Sequence, residues 1–322
     1  EAQRRRPRDA AEALRLPVLE LTPSRHVCGL FELASGGGGV AATHQADGPS
    51  AANPTTSRDS IALLLHTSGT TRQPKLVPLS HGQLGLGALH VASTLRLGRD
   101  DVCVNVMPLF HLHAIAINIL VSAVCGSVVE CAPSFDGASF VTRLADEPAP
   151  TWYSAVPTIH QEVARAARTA ARETSTPPRH KLTLARNCSA ALPPIVAAAL
   201  EEALPGLCVL TTYAMTEALP ICSNPRPVPG GPDERDFGSV GPAAGPSVAI
   251  RTADGAEAVS DGAEGEVCVR GDCVFHGYEP RAHLGFDPNE SAFTRDGWFR
   301  TGDKGRMDAR GHLHLTGRFK EV

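Results

Sequence analysis

From Ile61 onward, short apolar runs alternate with amphipathic segments, and this alternation limits the possible folds of the chain more than any other feature. Strand-like runs separated by helix-like segments are typical of βα units that build a largely parallel sheet. The predicted strands are Ile61–His66, Val102–Met107, Ser127–Cys131, Trp152–Ala155, Leu182–Asn187 and Cys208–Tyr213. The predicted helices are His81–Leu95, Ala114–Cys125, Ala138–Ala145, Thr158–Ala171 and Pro193–Ala203. We therefore expect an α/β region in which sheets are flanked by helices.

The pattern changes after about Arg235, where short alternating runs are separated by Asp-Gly and Arg-Gly turns. Three of these runs are predicted antiparallel strands of a β-rich subdomain: Val248–Arg251, Glu266–Arg270 and His312–Thr316. Residues 1–60 contain one predicted strand, Leu16–Leu21, and a polar loop at 41–58, and are interpreted as the remnant of a preceding α/β subdomain. We place the α/β region at 61–236, the β-rich subdomain at 237–316 and an end segment at 317–322.

The composition excludes several classes of protein. With 42% hydrophobic and 20% charged residues, the 322-residue chain is globular and not disordered. A net charge of −4 provides no general positive field for a polyanion, and the basic cluster from Arg4 to Arg8 is interpreted as a solvated chain end. We expect no nucleic-acid partner.

The cysteines and the longest apolar stretch indicate where in the cell the protein is expected. The nine cysteines are scattered and contain no C-x-x-C pair, so they are interpreted as reduced thiols in a cytoplasmic compartment. The longest apolar stretch, 114–129, is shorter than the roughly 20 residues that span a bilayer, so no membrane span is expected. The chain starts with Glu1 and is interpreted as an internal piece of a longer protein, which leaves a C-terminal peroxisomal address open.

Residues 65–75, Leu-His-Thr-Ser-Gly-Thr-Thr-Arg-Gln-Pro-Lys, form the most informative motif, because they follow an apolar strand and place hydroxyl groups ahead of a lysine. Gly69 allows close approach of the backbone, the hydroxyls can donate hydrogen bonds, and Lys75 supplies positive charge, so the loop can wrap phosphates. The residues predicted to do so are Thr67, Ser68, Gly69, Thr70, Thr71 and Lys75. The spacing is not that of the G-x-x-x-x-G-K-[ST] loop. A Ser/Thr-rich surface turn is the alternative.

Five further segments follow this loop in order: Pro108–His111, Ser189–Pro193, Tyr213–Glu217, Trp298–Asp303 and Gly317–Glu321. Together with Thr67–Lys75 they resemble the motifs of the adenylate-forming superfamily, which includes acyl-CoA synthetases, luciferases and the adenylation domains of peptide synthetases. The resemblance covers residues 61–322. It implies the large N-terminal α/β domain of an adenylate-forming enzyme, with β-sheets flanked by helices plus a β-rich subdomain.

The resemblance implies a two-step reaction, in which a small carboxylic acid and ATP form an acyl-adenylate and coenzyme A then takes the acyl group. It assigns catalytic roles to Lys75, His111, Thr216 and Glu217, with Glu217 also binding Mg²⁺. Besides the phosphate loop, the implied nucleotide-binding residues are Ser189, Ala190, Ala191, Tyr213, Thr216, Asp303 and Arg318. Among these, Tyr213 would stack on the adenine, Thr216 would hydrogen-bond the α-phosphate, and Asp303 would accept hydrogen bonds from the ribose hydroxyls.

Within the superfamily, the segments at 66–69, 110–113, 151–161 and 188–190 are most similar to oxalate–CoA ligases. The residues expected to contact the acid are His111, His113 and Ser189, with Arg186 as a further candidate. This polar set suits a second carboxylate, which must find donors if it is buried. The alternative is that His113 and Arg186 face elsewhere and only His111 lines the acid pocket. Two other functions also stay open: a medium-chain or aryl acid–CoA ligase, and an inactive nucleotide-binding fragment.

The chain also departs from the family pattern. Arg72 replaces a glycine of the phosphate loop, and Lys320 lies at the hinge before a C-terminal domain that the chain lacks, so the truncated form is expected to be impaired. The pairs His111/His113 and His312/His314 each place two imidazoles on one strand face. We predict that neither pair is a zinc site, since no third ligand lies nearby in sequence.

Overall fold

The computed structural model describes residues 57–67, 74–253, 255, 257–280 and 285–319 in full, and the backbone of 19–23 and 31–35. The chain forms two compact units, Glu1–Thr55 and Thr56–Val322. In the first unit, β1 (Leu19–Pro23) pairs antiparallel with β2 (Phe31–Ser35). The strand predicted at Leu16–Leu21 overlaps β1, whereas residues 16–18, the arginines from Arg4 to Arg8 and most of the polar loop lie outside the described residues.

The second unit begins with a hairpin of β3 (Ile61–His66) and β4 (Leu76–Ser80), which joins the two ends of the predicted phosphate loop. The prediction that Ile61–His66 belongs to the parallel sheet is wrong, because the chain returns immediately through β4 and pairs antiparallel with it. Helix α1 (His81–Leu95) follows, and Ser80 caps it: its Oγ accepts from the backbone of Gln83 at 3.2 Å, while Gln83 Oε1 accepts from the Ser80 backbone at 2.8 Å.

A six-stranded sheet forms the centre of this unit, in the order β10-β9-β8-β7-β5-β6. Its strands are β5 (Val102–Asn105), β6 (Val128–Cys131), β7 (Trp152–Ala155), β8 (Leu184–Asn187), β9 (Cys208–Met215) and β10 (Ala218–Ser223). The first five are parallel, as predicted, and β10 adds an antiparallel edge. The carboxyl ends of the parallel strands therefore meet along one border of the sheet.

Helices cover both faces of this sheet. They are α1, a π-helix (His113–Leu120), α2 (Val121–Cys125), α3 (Gly137–Arg143), α4 (Pro157–Thr174) and α5 (Pro194–Ala203). On one face Trp152 and Leu184 pack with residues of α1 and the π-helix, and on the other Tyr153 and Ala185 pack with residues of α3, α4 and α5. The five predicted helices are confirmed, except that the one at Ala114–Cys125 divides into the π-helix and α2.

The last part of the unit is a four-stranded antiparallel sheet of β11 (Ser247–Arg251), β12 (Gly265–Arg270), β13 (Phe299–Met307) and β14 (Leu313–Arg318). Three of these strands were predicted, and β13 was not. One buried cluster joins this sheet to β4 and β10, since Val77, Ile221 and Val267 all belong to it. The subdomain boundaries at 60, 236 and 316 stay predictions. Within the described part of the chain, every helix is too short or too polar to cross a membrane.

Candidate active site

A cavity of about 400 Å³ lies at the carboxyl ends of the parallel strands, where side chains of the hairpin and of the antiparallel sheet also reach it. In open α/β sheets this border is where ligands bind. The predicted site residues that line the cavity are Thr67, Lys75, His111, His113, Ser189, Thr216, Glu217 and Arg318. Ser68, Gly69, Thr70, Thr71, Arg72 and Lys320 lie outside the described residues, so their predicted roles, including the hinge at Lys320, stay predictions.

Glu217 supplies a buried carboxylate to the cavity wall, in the turn between β9 and β10. Burial raises the pKa of Glu217, while a hydrogen bond from the Tyr278 hydroxyl to Oε1, at 2.7 Å, acts in the opposite direction. The ammonium of Lys75 lies 4.3 Å from the centre of the Tyr278 ring. A divalent cation bound to Glu217 would compensate the desolvated charge, so the residue fits the predicted Mg²⁺ role.

Asp303 is held by two neighbours at the end of the cavity nearest the antiparallel sheet. Tyr213 donates its hydroxyl to Oδ2, and Arg318 donates Nε to Oδ1 at 2.8 Å. Burial, followed by the charge of Asp303, raises the pKa of Tyr213 well above its usual value, so the phenol stays a donor. Tyr213 and Asp303 lie behind the cavity wall, while Arg318 is part of it. The stacking of Tyr213 on adenine and the contact of Asp303 with ribose stay predictions.

The segment after β8 brings Ser189 to the cavity, whereas the exposed Ala190 and Ala191 do not belong to its lining. Ser189 has a φ of +74°, in the left-handed region that non-glycine residues rarely adopt. Strained backbone of this kind is concentrated at functional sites, where the surrounding structure enforces it. The conformation places Ser189 Oγ 3.4 Å from Nδ1 of His113.

A chain of polar contacts leads from the cavity into the sheet. His113 Nε2 lies 2.7 Å from Ser154 Oγ, and Arg186 donates Nη1 to the same oxygen at 3.4 Å. Ser154 and Arg186 are register partners on the parallel strands β7 and β8, so their side chains share a face of the sheet. His113 lines the cavity, and Arg186 lies behind it, with only 1% of its surface exposed. The structure thus brings His113, Ser189 and Arg186 together.

The end of the cavity at His113 combines a neutral histidine with a buried arginine. Burial, and then the positive charge of Arg186, lowers the pKa of His113 to about 3, so its imidazole is neutral at physiological pH. Among the described residues, no carboxylate forms an ion pair with Arg186. A buried guanidinium normally has an anionic partner. The site therefore favours an anion at the His113 end of the cavity.

Sequence reasoning missed three residues that support the site. Tyr278 and Ser154 are described above. Glu266 accepts from Arg300 Nε at 2.9 Å and from the Gly302 backbone at 3.1 Å, and so fixes the part of β13 that carries Asp303. Ser154 lies in a predicted strand, but only the register with Arg186 shows its role. Tyr278 and Glu266 lie outside the sequence motifs, so nothing in the sequence indicated their roles.

Comparisons with known proteins agree with this architecture. The probable CoA ligase CCL9 of Humulus lupulus is 42% identical over 265 residues, which cover 81% of this chain and 48% of that protein. The oxalate–CoA ligase of Arabidopsis thaliana is 41% identical over 268 residues, covering 82% and 49%, respectively. The chain therefore spans about half the length of these relatives.

Solved structures show the same relationship. The crystal structure of ATP-bound MatB from Rhodopseudomonas palustris matches with a TM-score of 0.70 and 30% identity, over 83% of this chain and 50% of that chain. The expected fold, the large N-terminal domain of an adenylate-forming enzyme, is confirmed. Residues 12–279 match the description AMP-binding enzyme, and the chain belongs to that family.

Proposed function

We propose that the chain is the nucleotide- and acid-binding part of an ATP-dependent acid–CoA ligase, and that its acid is oxalate. The substrate assignment rests on Arg186, a buried cation without a carboxylate partner among the described residues. The hydroxyl of Ser154 links Arg186 to His113, which lines the cavity. The relative named oxalate–CoA ligase supports the same substrate.

The reaction joins two anions, a carboxylate and ATP, so the site must supply positive charge that offsets their repulsion. A carboxylate oxygen of the acid bonds to the α-phosphorus of ATP, and the bond to pyrophosphate breaks with its electrons on the leaving oxygen. The thiolate sulfur of coenzyme A then bonds to the acyl carbon and AMP leaves. Lys75 and Arg318 provide positive charge on the cavity wall to offset the repulsion in the first step. When bound at Glu217, Mg²⁺ would neutralise phosphate charge.

Oxalate brings a second carboxylate, which stays negatively charged while the first is adenylated. A carboxylate placed beside His113 and Ser189 gains a hydroxyl donor and the field of Arg186. Ser154 donates its hydroxyl to the Arg186 carbonyl oxygen at 3.2 Å, so the neutral His113 donates Nε2–H to Ser154. Its Nδ1, beside Ser189, can take up a proton as the dianion arrives. An acid without this second charge would leave these groups without a partner, so it should be rejected.

One observation favours a different acid. The same cavity includes the apolar side chains of Leu112, Ile117 and Met215, which suit a medium-chain or aryl acid. If those side chains set the specificity, the enzyme is a medium-chain or aryl acid–CoA ligase with the same nucleotide chemistry. The two assignments differ in what Arg186 does.

ATP–pyrophosphate exchange with oxalate, butyrate and octanoate, measured on the protein that contains this chain, tests the proposal. We expect oxalate to be preferred over butyrate by more than about 100-fold. Arg186→Met keeps a long side chain without the charge and should remove the preference. The control Arg168→Met removes an exposed arginine of α4 and should not affect it.

Two outcomes would contradict the proposal. A preference for octanoate would assign the enzyme to medium-chain acids while leaving the adenylation chemistry intact. Binding of ATP without exchange for any acid would identify an inactive nucleotide-binding protein.

A further inference from the structure

A second cluster of ligating atoms lies away from the cavity, on the antiparallel sheet. Nε2 of His314 in β14 is 3.0 Å from Oδ2 of Asp308, in the turn that precedes this strand. It is 3.9 Å from Oδ2 of Asp236, which lies in the segment between β10 and β11. The three atoms lie within 4.8 Å of one another. With 16%, 22% and 33% of their side chains exposed, respectively, the three residues are partly shielded from water.

The other polar atoms of the three side chains hold these atoms in place. His314 Nδ1 lies 3.0 Å from the carbonyl oxygen of Gly238, which can only accept, so Nδ1 carries the proton. Asp308 Oδ1 accepts from the backbones of Arg310 and His312, both at 2.9 Å. Asp236 Oδ1 accepts from the Gly238 backbone at 2.7 Å. These contacts use the other polar atoms and leave the Oδ2 of each aspartate on the side of His314 Nε2.

This arrangement suits a cation. In the neutral imidazole with Nδ1 protonated, Nε2 carries a lone pair, and two carboxylate oxygens face it. A proton on Nε2 satisfies Asp308 but not Asp236, because 3.9 Å is beyond hydrogen-bonding distance. A metal ion at the centre would use all three atoms. A histidine whose second ring nitrogen donates to a backbone carbonyl is the usual arrangement in metal sites.

We propose that Asp236, Asp308 and His314 form a binding site for a divalent transition-metal ion such as Zn²⁺. Metal–ligand bonds of about 2.0–2.1 Å in a tetrahedral site place ligand atoms about 3.3 Å apart. The separations of 3.0 Å and 3.9 Å from His314 Nε2 are close to this value, and the third separation, within 4.8 Å, needs a side-chain rotation. Water completes the coordination. One imidazole with two carboxylates suits zinc better than magnesium or calcium, which prefer oxygen ligands alone.

The site would join two parts of the unit. Asn224, which follows β10, accepts from the Asp236 backbone at 2.9 Å, while His314 and Asp308 belong to the β13–β14 hairpin. An ion here links the segment leaving the parallel sheet to the strand that ends at Arg318. The sequence predicted no zinc site at His312 and His314, because no third ligand was recognised nearby. The proposal revises this for His314, while His312 lies outside the cluster, with its Nδ1 3.4 Å from Ser239 Oγ. The third ligand comes from Asp236, 78 positions before His314 in the numbering.

Equilibrium dialysis of the chelator-treated chain against Zn²⁺, together with thermal unfolding, tests the site. We expect one ion per chain and a rise in the unfolding temperature with Zn²⁺. His314→Asn and Asp236→Asn should each weaken binding by at least about tenfold, in line with the loss of one ligand. Asp236→Asn keeps the acceptor for Gly238, so it separates metal binding from folding. His81→Asn, which replaces an exposed histidine of α1, is the matched control and should bind as wild type does.

Cysteine thiols are the main competitor for Zn²⁺ in this chain. Binding of Co²⁺ distinguishes them, because thiolate ligands give a strong charge-transfer band and the proposed N,O ligands do not. Absence of binding, a thiolate band, or equal affinity of both site variants and wild type would overturn the proposal. None of these readouts depends on ligase activity.

Discussion

The hydroxyl of Tyr278 donates a hydrogen bond to Oε1 of Glu217 over 2.7 Å, and both side chains are buried. Burial raises the pKa of the Glu217 carboxyl, and the tyrosine opposes that shift. Tyr278 therefore helps to keep a carboxylate ionised where desolvation disfavours its charge.

Replacing this donor should be costly. Tyr278→Phe is expected to lower the free energy of unfolding by about 1–3 kcal/mol at neutral pH, because a buried carboxylate oxygen loses its partner. Phenylalanine keeps the ring beside Lys75, so the cation–π contact remains. The loss should shrink in acid, where Glu217 is protonated. Urea unfolding of Tyr278→Phe, Glu217→Gln and the double variant measures the coupling, and a value near zero would refute the role.

The pair of Tyr213 and Arg318 around Asp303 leads to a prediction on ATP binding. Asp303→Asn should weaken ATP binding by about tenfold or more, since hydrogen bonds to a charged acceptor contribute about 1.5–3 kcal/mol. Asparagine keeps an acceptor for Arg318. Calorimetry with ATP and with 2′,3′-dideoxy-ATP tests the contact with ribose, because the analogue should bind both proteins equally. Equal weakening for both nucleotides would show that Asp303 acts on something other than the ribose.

Two buried histidines predict how stability depends on pH. Burial is the main cause that lowers the pKa of His113 to about 3 and of His160 to about 4. An unfolded histidine takes up a proton below about pH 6.5, while these remain neutral in the native state, so stability should fall as the pH decreases from about 6.5 to 5. The slope for each histidine approaches about 1.4 kcal/mol per pH unit.

His160→Gln isolates one of these titrations. Its unfolding free energy should depend less steeply on pH than that of wild type, with a difference in slope approaching about 1.4 kcal/mol per unit near pH 5. His276→Gln, at an exposed histidine, should leave the slope unchanged. Urea unfolding at a series of pH values measures these slopes. Parallel plots of unfolding free energy against pH for wild type and His160→Gln would contradict a buried, neutral His160.

Two glycines of α1 predict opposite effects of one substitution. A Cβ at Gly87 would lie 2.3 Å from the carbonyl oxygen of Leu219 in β10, whereas one at Gly85 would meet nothing within 4 Å. Gly87→Ala should therefore destabilise by about 1–3 kcal/mol. Gly85→Ala should stabilise by about 0.5–1 kcal/mol, since alanine favours the helix. Thermal unfolding of the two variants should give shifts of opposite sign, and two stabilising shifts would contradict the packing of α1 on β10.

The parallel strands could be predicted because burial on both faces makes them continuous apolar runs, as in Trp152–Ala155. The other elements carry no such signal. β10 contains Pro220, which favours an edge and reads as a loop, and β13 is interrupted by Gly302 and Gly305. The π-helix has the same apolar composition as an α-helix, so its start at His113 could not be distinguished.

In the candidate site, too, some features could be predicted from the sequence and others could not. Lys75 and Glu217, which line the cavity, could be predicted by resemblance, because the order of the motifs in the chain is visible in the sequence. The contact of Arg186 with Ser154 could not, since it depends on the register of two strands whose residues are 32 positions apart. The Asp236–His314 approach depends likewise on the folded position of a long connection.

The backbone at Ser189 has a consequence for how this chain can change over time. A serine at a φ of +74° costs about 1–2 kcal/mol relative to glycine, which adopts this conformation freely. Selection for stability alone would replace Ser189 with glycine. The proposed contact of its hydroxyl, 3.4 Å from His113, with the acid would offset this cost. Under relaxed selection on catalysis, position 189 is therefore among the first at which the chain would gain stability by losing a functional group.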